Sequence, residues 1–304
     1  MTQHLFIGVD GGATKCIVRL EDEAGRLLGR ESSGPANIRY SIDQTWDSIQ
    51  SALDKILQQL SLSLDSDGHQ FHAGMGLAGC EVLEAYQAFL KSTHPFATLV
   101  VSTDSHTACL GAHGGGDGAI IIAGTGVVGF QNQAGRTVKV GGFGFPHDDD
   151  GGGAWLGLQA VKTTLQWRDG RLPASGLAEI IYEHFGRDEN RLVSWATQAN
   201  STLFAELAPF VIQQSQAGDA VSVALMHEAG RAIDRVGQAL YNAQSDLSTP
   251  LPCSLIGGIT PFLIPYIGEA LYSRLQPHQM SPDAGAVLLV RHYLATGKDK
   301  ALNE

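Results

Sequence analysis

The 304-residue chain has few cysteines, few charged residues and no long apolar run. Its four cysteines, Cys16, Cys80, Cys109 and Cys253, lie far apart and mostly beside strand-like segments. That spacing favours buried, reduced thiols over a disulfide framework or a zinc knuckle. No apolar stretch approaches the ~20 residues that a membrane span requires, so the sequence predicts no membrane helix.

The charge balance is weighted to one sign, because 31 acidic residues face 20 basic ones and the formal net charge is −11. A chain with this charge repels nucleic acids and anionic membranes, so we expect neither as a partner. A phosphate-bearing ligand must then be held by local donors. The sequence begins at Met1 without the basic segment, apolar stretch and cleavage site of a secretory signal, and we expect a cytoplasmic protein.

Hydrophobic periodicity in the first part of the chain predicts an α/β arrangement. Apolar segments at 5–9, 16–20 and from Leu27 predict an antiparallel meander of three strands, unlike a dinucleotide-binding strand–helix–strand unit. Between Trp46 and Leu60, apolar residues recur at spacings of three and four, the period of an amphipathic helix. A further helix and two strands follow, the strands at 71–77 and 98–102.

The length predicts two lobes, since a single core stops growing at roughly 250–300 residues. The segment His113–Gly118 contains four glycines in six residues and is the best candidate for a hinge. Beyond it, the strand–glycine–strand pattern of the N terminus is repeated, which suggests a duplicated lobe. We predict an N-terminal lobe over 1–113, a C-terminal lobe over 114–285, and a last helix, about 286–304, that packs on the first lobe.

The second half is mostly helical after this repeat. Helical periodicity runs from Gly151 to about Tyr241, with Val221 and Leu240 on one face of a long helix. A single strand is predicted over Cys253–Ile256, followed by the pair Gly257-Gly258.

The turn after the first strand carries Asp10, Gly11, Gly12, Thr14 and Lys15. Glycines let backbone N–H groups approach a phosphate, and a carboxylate at this point can hold hydrated Mg²⁺. The side chain of Thr14 or Lys15 can donate to phosphate oxygens. A plain hairpin is the alternative, because Asp-Gly is a common turn pair.

Gly124, Thr125 and Gly126 form a similar turn after the apolar run Ala119–Ala123. The turn would present N–H groups and one hydroxyl to the other side of a triphosphate. Glycine turns between strands are abundant, so this feature alone is weak.

Asp104 lies between a strand and a short helix, where the end of a sheet places a carboxylate at the mouth of a crevice. Phosphoryl transfer to an alcohol needs a carboxylate that accepts the proton of the attacking hydroxyl. The alternative is that Asp104 only caps the helix.

The loop Gly141–Gly153 contains six glycines and three adjacent carboxylates in thirteen residues. Ordering glycines costs entropy and neighbouring carboxylates repel, so the loop indicates a polyhydroxylated or cationic ligand. A Ca²⁺ loop or a solvated turn is the alternative, although the ligand spacing of an EF-hand is absent. His106, His113 and His147 do not have the spacing of metal ligands.

Taken in order, these segments resemble the motifs of the actin, sugar-kinase and Hsp70 ATPase superfamily. The matches are phosphate 1 at Asp10–Lys15, connect 1 at Ser102–Gly111, phosphate 2 at Ile121–Gly129, adenosine at Leu255–Ile259 and connect 2 at Asp283–Leu288. The resemblance implies an α/β protein with the two-lobed, actin-like (ribonuclease H-like) fold. Each lobe would hold a mixed sheet, and the lobes would close on MgATP.

Within that superfamily, Gly34-Pro35-Ala36-Asn37 and Thr103-Asp104 resemble the branch of N-acetylglucosamine kinase, bacterial glucosamine kinase and the BadF/BadG/BcrA/BcrD ATPases. This implies transfer of the γ-phosphoryl group of ATP to the 6-hydroxyl of an amino sugar, with N-acetylglucosamine the first expectation and glucosamine the second. ATP and Mg²⁺ are the implied cofactors, and a homodimer is the implied assembly.

The resemblance also implies residue roles. Asp104 would be the catalytic base, and Asp10 would organise Mg²⁺ through water. ATP and its phosphates would be bound by Asp10, Gly11, Gly12, Thr14, Lys15, Gly124, Thr125, Gly126, Gly257 and Gly258. The sugar would be bound by Asn37, Asp104, Thr125, Gly142, Phe143, Asp149, Asp150 and Gly153.

Four residues depart from the pattern of this branch, all around the sugar loop. Phe143 replaces a tryptophan, Asp150 a glutamate and Gly152 a serine, and His147 stands where a small or apolar residue is common. These departures leave open whether the 2-substituent of the sugar is an acetamido group or a free amine. A cationic amine would be attracted by the carboxylates at 148–150.

Two other functions are compatible with the same fold. An ATPase activator of a 2-hydroxyacyl-CoA dehydratase-type radical enzyme would need an iron–sulfur cluster at a subunit interface, and the scattered cysteines disfavour it. A sugar-responsive repressor would need an added helix-turn-helix, which the acidic sequence does not indicate.

Overall fold

The computed structural model describes residues 2–65 and 67–297. Contacts between Cα atoms divide the chain into two units. Unit 1 comprises Met1–Gly118, Gln131–Thr137 and Pro277–Glu304, and unit 2 comprises Ala119–Phe130 and Val138–Gln276. Among the helices of the described ranges, none combines the length and the apolar character needed to cross a membrane.

Strands and helices alternate along much of the chain. The strands are β1 (Gln3–Gly11), β2 (Cys16–Glu21), β3 (Leu27–Ser33), β4 (His69–Leu77), β5 (Thr98–Thr103), β6 (Gly118–Ala123), β7 (Val127–Gln133), β8 (Arg136–Gly141) and β9 (Cys253–Ile256). The helices are α1 (Ile42–Leu60), α2 (Leu83–Leu90), α3 (Asp104–Ala112), α4 (Gly153–Arg168), α5 (Gly176–His184), α6 (Glu189–Gln198), α7 (Ser201–Ala205), α8 (Ala208–Gln216), α9 (Ala220–Asn242), α10 (Thr260–Leu263), α11 (Glu269–Tyr272) and α12 (Pro282–Thr296).

Unit 1 is built on a five-stranded mixed sheet with the order β3-β2-β1-β4-β5. The first three strands form the predicted antiparallel meander, and β4 and β5 run parallel to β1. The three parallel strands therefore end at the same edge of the sheet, and the loops that follow them lie next to one another.

Helix α1 packs on β2 and β3, as its apolar periodicity predicts. It begins at the N-cap Ser41, whose hydroxyl accepts a hydrogen bond from the N–H of Gln44, and its face carrying Ile49, Leu53 and Ile56 is fully buried. The predicted amphipathic helix is confirmed.

Helix α12 packs against the sheet of unit 1 and against α3. A Cβ atom on Gly8 would lie 2.0 Å from the carbonyl oxygen of Asp283, and one on Gly74 would lie 1.9 Å from that of Ala286. Only glycine leaves this space, so the helix main chain approaches the strands directly. Helix α12 begins at Pro282, four residues before the predicted start, and ends at Thr296 with Gly297 as its C-cap. Residues 298–304 of the predicted helix lie outside the described residues.

Unit 2 is built on a four-stranded sheet with the order β8-β7-β6-β9, covered by helices that supply most of its core. Strand β9 occupies the predicted range and runs parallel to β6, with Ile122 opposite Ile256. The strand β8 is absent from the expectations above. The two sheets confirm the predicted α/β class.

Candidate active site

Asp10 and Asp104 lie at one edge of the unit 1 sheet. Asp10 is opposite Gly76 in β4, and Gly76 is opposite Ser102 in β5, two residues before Asp104. Adjacent strands are about 4.8 Å apart, so the two carboxylates belong to positions separated by roughly 10 Å. The topology thus brings together two residues that are 94 positions apart in the sequence.

The turn after Asp10 closes the hairpin of β1 and β2. Gly11 is paired with Cys16, and the N–H of Gly12 donates to the carbonyl oxygen of Lys15 over 2.9 Å. Ala13, Thr14 and Lys15 at the tip are exposed. The backbone therefore forms the hairpin that was the alternative interpretation. Its exposed tip can still present N–H groups and the side chains of Thr14 and Lys15 to an anion.

Asp10 lies in an unusually negative environment. Burial, followed by the charges of Asp104 and Asp283, raises the pKa of Asp10 to about 6, while Lys15 and Arg30 oppose the rise. Carboxylate oxygens are the ligands that Mg²⁺ prefers, and a divalent cation would offset this concentration of negative charge. The residues present therefore fit a hydrated Mg²⁺ ion at Asp10.

Asp283 and Arg30 complete this edge of unit 1, and neither is among the predicted site residues. Asp283 is fully buried and accepts two hydrogen bonds from Arg30, from Nε over 2.8 Å and from Nη2 over 3.0 Å. Burial alone would raise the pKa of Asp283, but the hydrogen bonds from Arg30 and Ser281 and the charge of Arg30 bring it below its usual value.

Asp104 is the first residue of α3, but Thr103 is the cap. The hydroxyl of Thr103 accepts the N–H of His106, which is the bond that an N-cap side chain makes. The carboxylate of Asp104 accepts the N–H of the adjacent Ser105 over 2.7 Å. Thr103 is therefore the N-cap residue of α3, and the role of Asp104 as a base stays a prediction.

Asn37 lies at the same edge, beyond the end of β4. It forms a bridge with Ala78, and its side-chain oxygen accepts the N–H of Arg39 over 3.0 Å. A Cβ atom on Gly79 would lie 2.7 Å from that oxygen, so Gly79 keeps the space around the Asn37 amide open.

In unit 2, the two predicted nucleotide-binding glycine segments are neighbours. Because Ile122 pairs with Ile256, the turn Gly124–Gly126 after β6 and the pair Gly257-Gly258 after β9 lie at the same edge. Gly257 has φ +122°, and a Cβ atom there would lie 2.0 Å from the carbonyl oxygen of Ala123. Thr125 and Gly258 are exposed and accessible to a ligand.

The loop between β8 and α4 packs against this turn. The N–H of Gly153 donates to the carbonyl oxygen of Gly124 over 2.8 Å, and the N–H of Ala154 donates to that of Thr125 over 2.9 Å. Gly153 therefore acts through its backbone, which joins the start of α4 to the turn. Gly142 has φ +72° and lies against Val128.

Two carboxylates of this loop are tied to the backbone. Asp149, with φ +72°, accepts the N–H of Val127 over 3.0 Å, and Asp148 accepts the N–H of Phe143 over 2.9 Å. Burial raises the pKa of Asp149. Asp150 is exposed, and within the described part of the chain its side chain makes no hydrogen bond or ion pair.

A pocket of about 280 Å³ lies between the loop and α9 in unit 2. Asp149, Asp150 and Phe143 line it together with Arg235 of α9, and the side chain of Phe143 is 83% exposed. Arg235 is not a predicted site residue, because only the packing of α9 brings it to the loop. A carboxylate, a guanidinium and an exposed ring are groups that bind hydroxyl-rich ligands.

The cysteines are buried and none forms a disulfide, which confirms the predicted thiols. Burial raises the pKa of Cys16 and of Cys253 to about 12. Thiols in such positions give no support to a cluster held at a subunit interface.

Residues 7–268 match the model of the BadF/BadG/BcrA/BcrD ATPase family. The chain belongs to this family.

Three similar proteins are kinases of amino sugars by name. The glucosamine kinase of Vibrio cholerae is 35% identical over 239 residues, which cover 79% of this chain and 81% of that protein. The N-acetyl-D-glucosamine kinase of Dictyostelium discoideum is 26% identical over 85% of this chain and 86% of its own. A solved structure from Chromobacterium violaceum, described as a candidate N-acetylglucosamine kinase, is 31% identical with a TM-score of 0.84, covering 94% of this chain and 98% of its own.

The last similarity extends over both units and confirms the predicted actin-like fold. The family is one of ATPases by description, in agreement with the predicted use of ATP.

Proposed function

We propose that the protein transfers the γ-phosphoryl group of ATP to the 6-hydroxyl of an amino sugar. The observation that carries this proposal is the common edge of Asp10 and Asp104 in unit 1. Asp10 is placed to hold the metal ion of the nucleotide, and Asp104 is placed to accept the proton of the acceptor hydroxyl. Membership of an ATPase family and the names of the relatives support the same function.

Asp104 is the proposed base. Its position at the start of α3 is fixed by the Thr103 cap and by the bond from Ser105, so its carboxylate is held in place before the acceptor binds. A positioned carboxylate accepts the proton of the attacking hydroxyl as the phosphoryl group moves.

Each of the two glycine turns is a proposed phosphate-binding segment, as the family resemblance implies. In unit 1, the exposed tip with Thr14 and Lys15 offers a hydroxyl, an ammonium group and backbone N–H groups. In unit 2, Thr125 offers a hydroxyl beside Gly257 and Gly258, where the adenosine would lie. A Mg²⁺ ion held at Asp10 would neutralise charge on the phosphate oxygens.

Asn37 is a proposed contact of the acceptor, and so are Asp149 and Asp150 of the loop, as the family resemblance implies. Of the three adjacent carboxylates, Asp150 is the one without a backbone partner among the described residues, so it is available to a hydroxyl or an amine. An unpaired carboxylate favours a cationic amine over a neutral acetamide. We therefore place glucosamine beside N-acetylglucosamine as the acceptor to be tested. A homodimer remains a prediction from the family resemblance.

A coupled assay of ADP release, with MgATP and each of glucosamine, N-acetylglucosamine, N-acetylmannosamine and glucose, tests this function. We expect turnover with at least one amino sugar that exceeds turnover with glucose. The variant Asp104→Asn should lose at least ~100-fold in kcat, because removal of a general base costs 10²–10⁴. It should still bind the sugar in calorimetry.

Asp47→Asn, a neutralisation on the exposed side of α1, is the matched control and should keep full turnover. Retention of turnover by Asp104→Asn would disprove the role of Asp104. Absence of ADP release by the wild-type protein with every sugar would disprove the kinase function.

A further inference from the structure

The cross-strand register of unit 1 places two guanidinium groups on the face that α12 covers. Gly8 is opposite Arg19, and Arg19 is opposite Arg30, so these residues form one row across β1, β2 and β3. Side chains of directly opposed residues point to the same face of a sheet. Because Gly8 has no side chain, the first turn of α12 packs directly against this row, and Asp283 contacts it there.

The two arginines do not share Asp283 equally. Arg30 makes the bidentate contact, whereas the Nη1 atom of Arg19 is 3.8 Å from Asp283 and its Nε atom is hydrogen-bonded to Glu21. The side chain of Asp283 is fully buried, and that of Arg30 is 41% exposed. Arg30 is therefore the main countercharge of a carboxylate that has no access to water.

This pair lies next to the residue proposed to organise the nucleotide. Asp10 follows Gly8 by two positions on the same strand, so it is on the same face and adjacent to the row. The charges of Asp283 and Arg30 both act on Asp10, in opposite directions. The hydrogen-bonded pair carries no net charge, whereas either residue alone would place a full charge near the phosphate-binding turn.

We propose that Arg30 is a positioning residue for MgATP, which acts by pairing with Asp283 so that this buried carboxylate does not repel the triphosphate at the Asp10 turn. The inference rests on the proposed kinase function. MgATP carries a net negative charge, so an unpaired Asp283 weakens its binding, and an unpaired Arg30 strengthens it. The binding of a neutral or cationic sugar does not follow this pattern.

Four variants test the proposal in the full-length protein, with KM measured separately for MgATP and for the best amino sugar. Arg30→Gln should raise KM for MgATP about tenfold, the order expected for one unit charge ~10 Å from a phosphate at an effective dielectric constant of about 20. The assay is run at pH 8 or above, because loss of Arg30 raises the pKa of the buried Asp283 and only the ionised carboxylate repels the triphosphate. Asp283→Asn should lower that KM, because Arg30 then keeps a positive charge that no carboxylate pairs. The double variant should return to within about threefold of the wild type, and Arg30→Lys, which keeps the charge, should do the same.

The opposite effects of the two single variants separate this role from a structural one. Both changes break the same ion pair and should lower the melting temperature, so a purely structural pair would raise KM for MgATP in both. Arg26→Gln is the matched control, because Arg26 pairs with Asp22 at the other end of the β2–β3 hairpin and is 76% exposed. It should leave both KM values unchanged.

If Arg30→Gln does not fold, the comparison of Asp283→Asn with the double variant still tests the proposed role of Arg30. Under the proposal, KM for MgATP is lower in Asp283→Asn than in the double variant, because only the former retains the positive charge. Equal values, or a parallel rise in the KM of the sugar, would overturn the inference while leaving the kinase function intact. If the wild-type protein releases no ADP with any sugar, the proposed kinase function itself is disproved.

Discussion

The contact between Gly8 and helix α12 makes the sharpest stability prediction. Substitution Gly8→Ala would place a Cβ atom 2.0 Å from the carbonyl oxygen of Asp283 and 2.7 Å from Cγ2 of Val287. The first of these atoms is main chain and has no rotamer to change. The start of α12 must therefore move away from the sheet by about 1 Å to restore an ordinary contact.

The cost of this movement has two parts. Overpacking of a close helix–sheet contact costs roughly 1–3 kcal/mol. A shift of about 1 Å also lengthens the Arg30–Asp283 hydrogen bonds, now 2.8 and 3.0 Å, and weakening of bonds to a charged group costs about 1.5–3 kcal/mol. We expect Gly8→Ala to lose roughly 3–5 kcal/mol, a large share of the 5–15 kcal/mol by which a typical domain is stable.

Urea denaturation followed by circular dichroism measures the loss, and hydrogen exchange of residues 282–296 localises it to α12. Gly34→Ala is the matched control, because its Cβ atom would meet nothing closer than 3.4 Å, and it should change stability by less than about 0.5 kcal/mol. Adding Val287→Ala to Gly8→Ala should not restore stability, since it removes only the side-chain clash. A midpoint for Gly8→Ala equal to that of Gly34→Ala would refute the reasoning.

Two further predictions concern titratable groups. Burial, and then the neighbouring His4, lowers the pKa of His72 in the folded protein, so the unfolded chain takes up a proton first, near pH 6.5. The stability that depends on neutral His72 is complete above that pH and is lost as the pH falls below it. The variant His72→Gln should therefore show a smaller decline in the urea midpoint between pH 7 and 5.5. An unchanged slope would contradict the prediction. The buried thiols should resist iodoacetamide in the native protein and react after denaturation, and mass spectrometry counts the labelled residues. Burial raises the pKa of Cys16 and of Cys253 to about 12, so rapid labelling of either residue in the native protein would contradict their burial.

Elements with a local signal could be predicted from the sequence. The period of α1 and its Ser41 cap are contained in about twenty consecutive residues, and the strand Cys253–Ile256 is bounded by a proline and a glycine pair. The start of α12 also has a local signal, because Ser281 and Pro282 are typical N-cap and N1 residues.

The candidate site was only partly predictable for the same reason. The strand–turn motifs of Asp10 and Gly124 are local, and their glycines mark them. Arg235 reaches the loop pocket through the packing of α9, and Arg30 meets Asp283 across 253 positions of sequence. Thr103 and Asp104 are both acceptable caps, and the sequence does not rank them.

The sequence by itself determined most strands and helices of the first half, the glycine turns and the residue types available for phosphate and hydroxyl chemistry, because these depend on neighbours along the chain. The tertiary structure decided which carboxylates share an edge, which are tied to backbone N–H groups and which one is paired with Arg30. Those outcomes depend on sheet register and on how closely a helix approaches Gly8, and both are set by contacts between residues that are distant in the sequence.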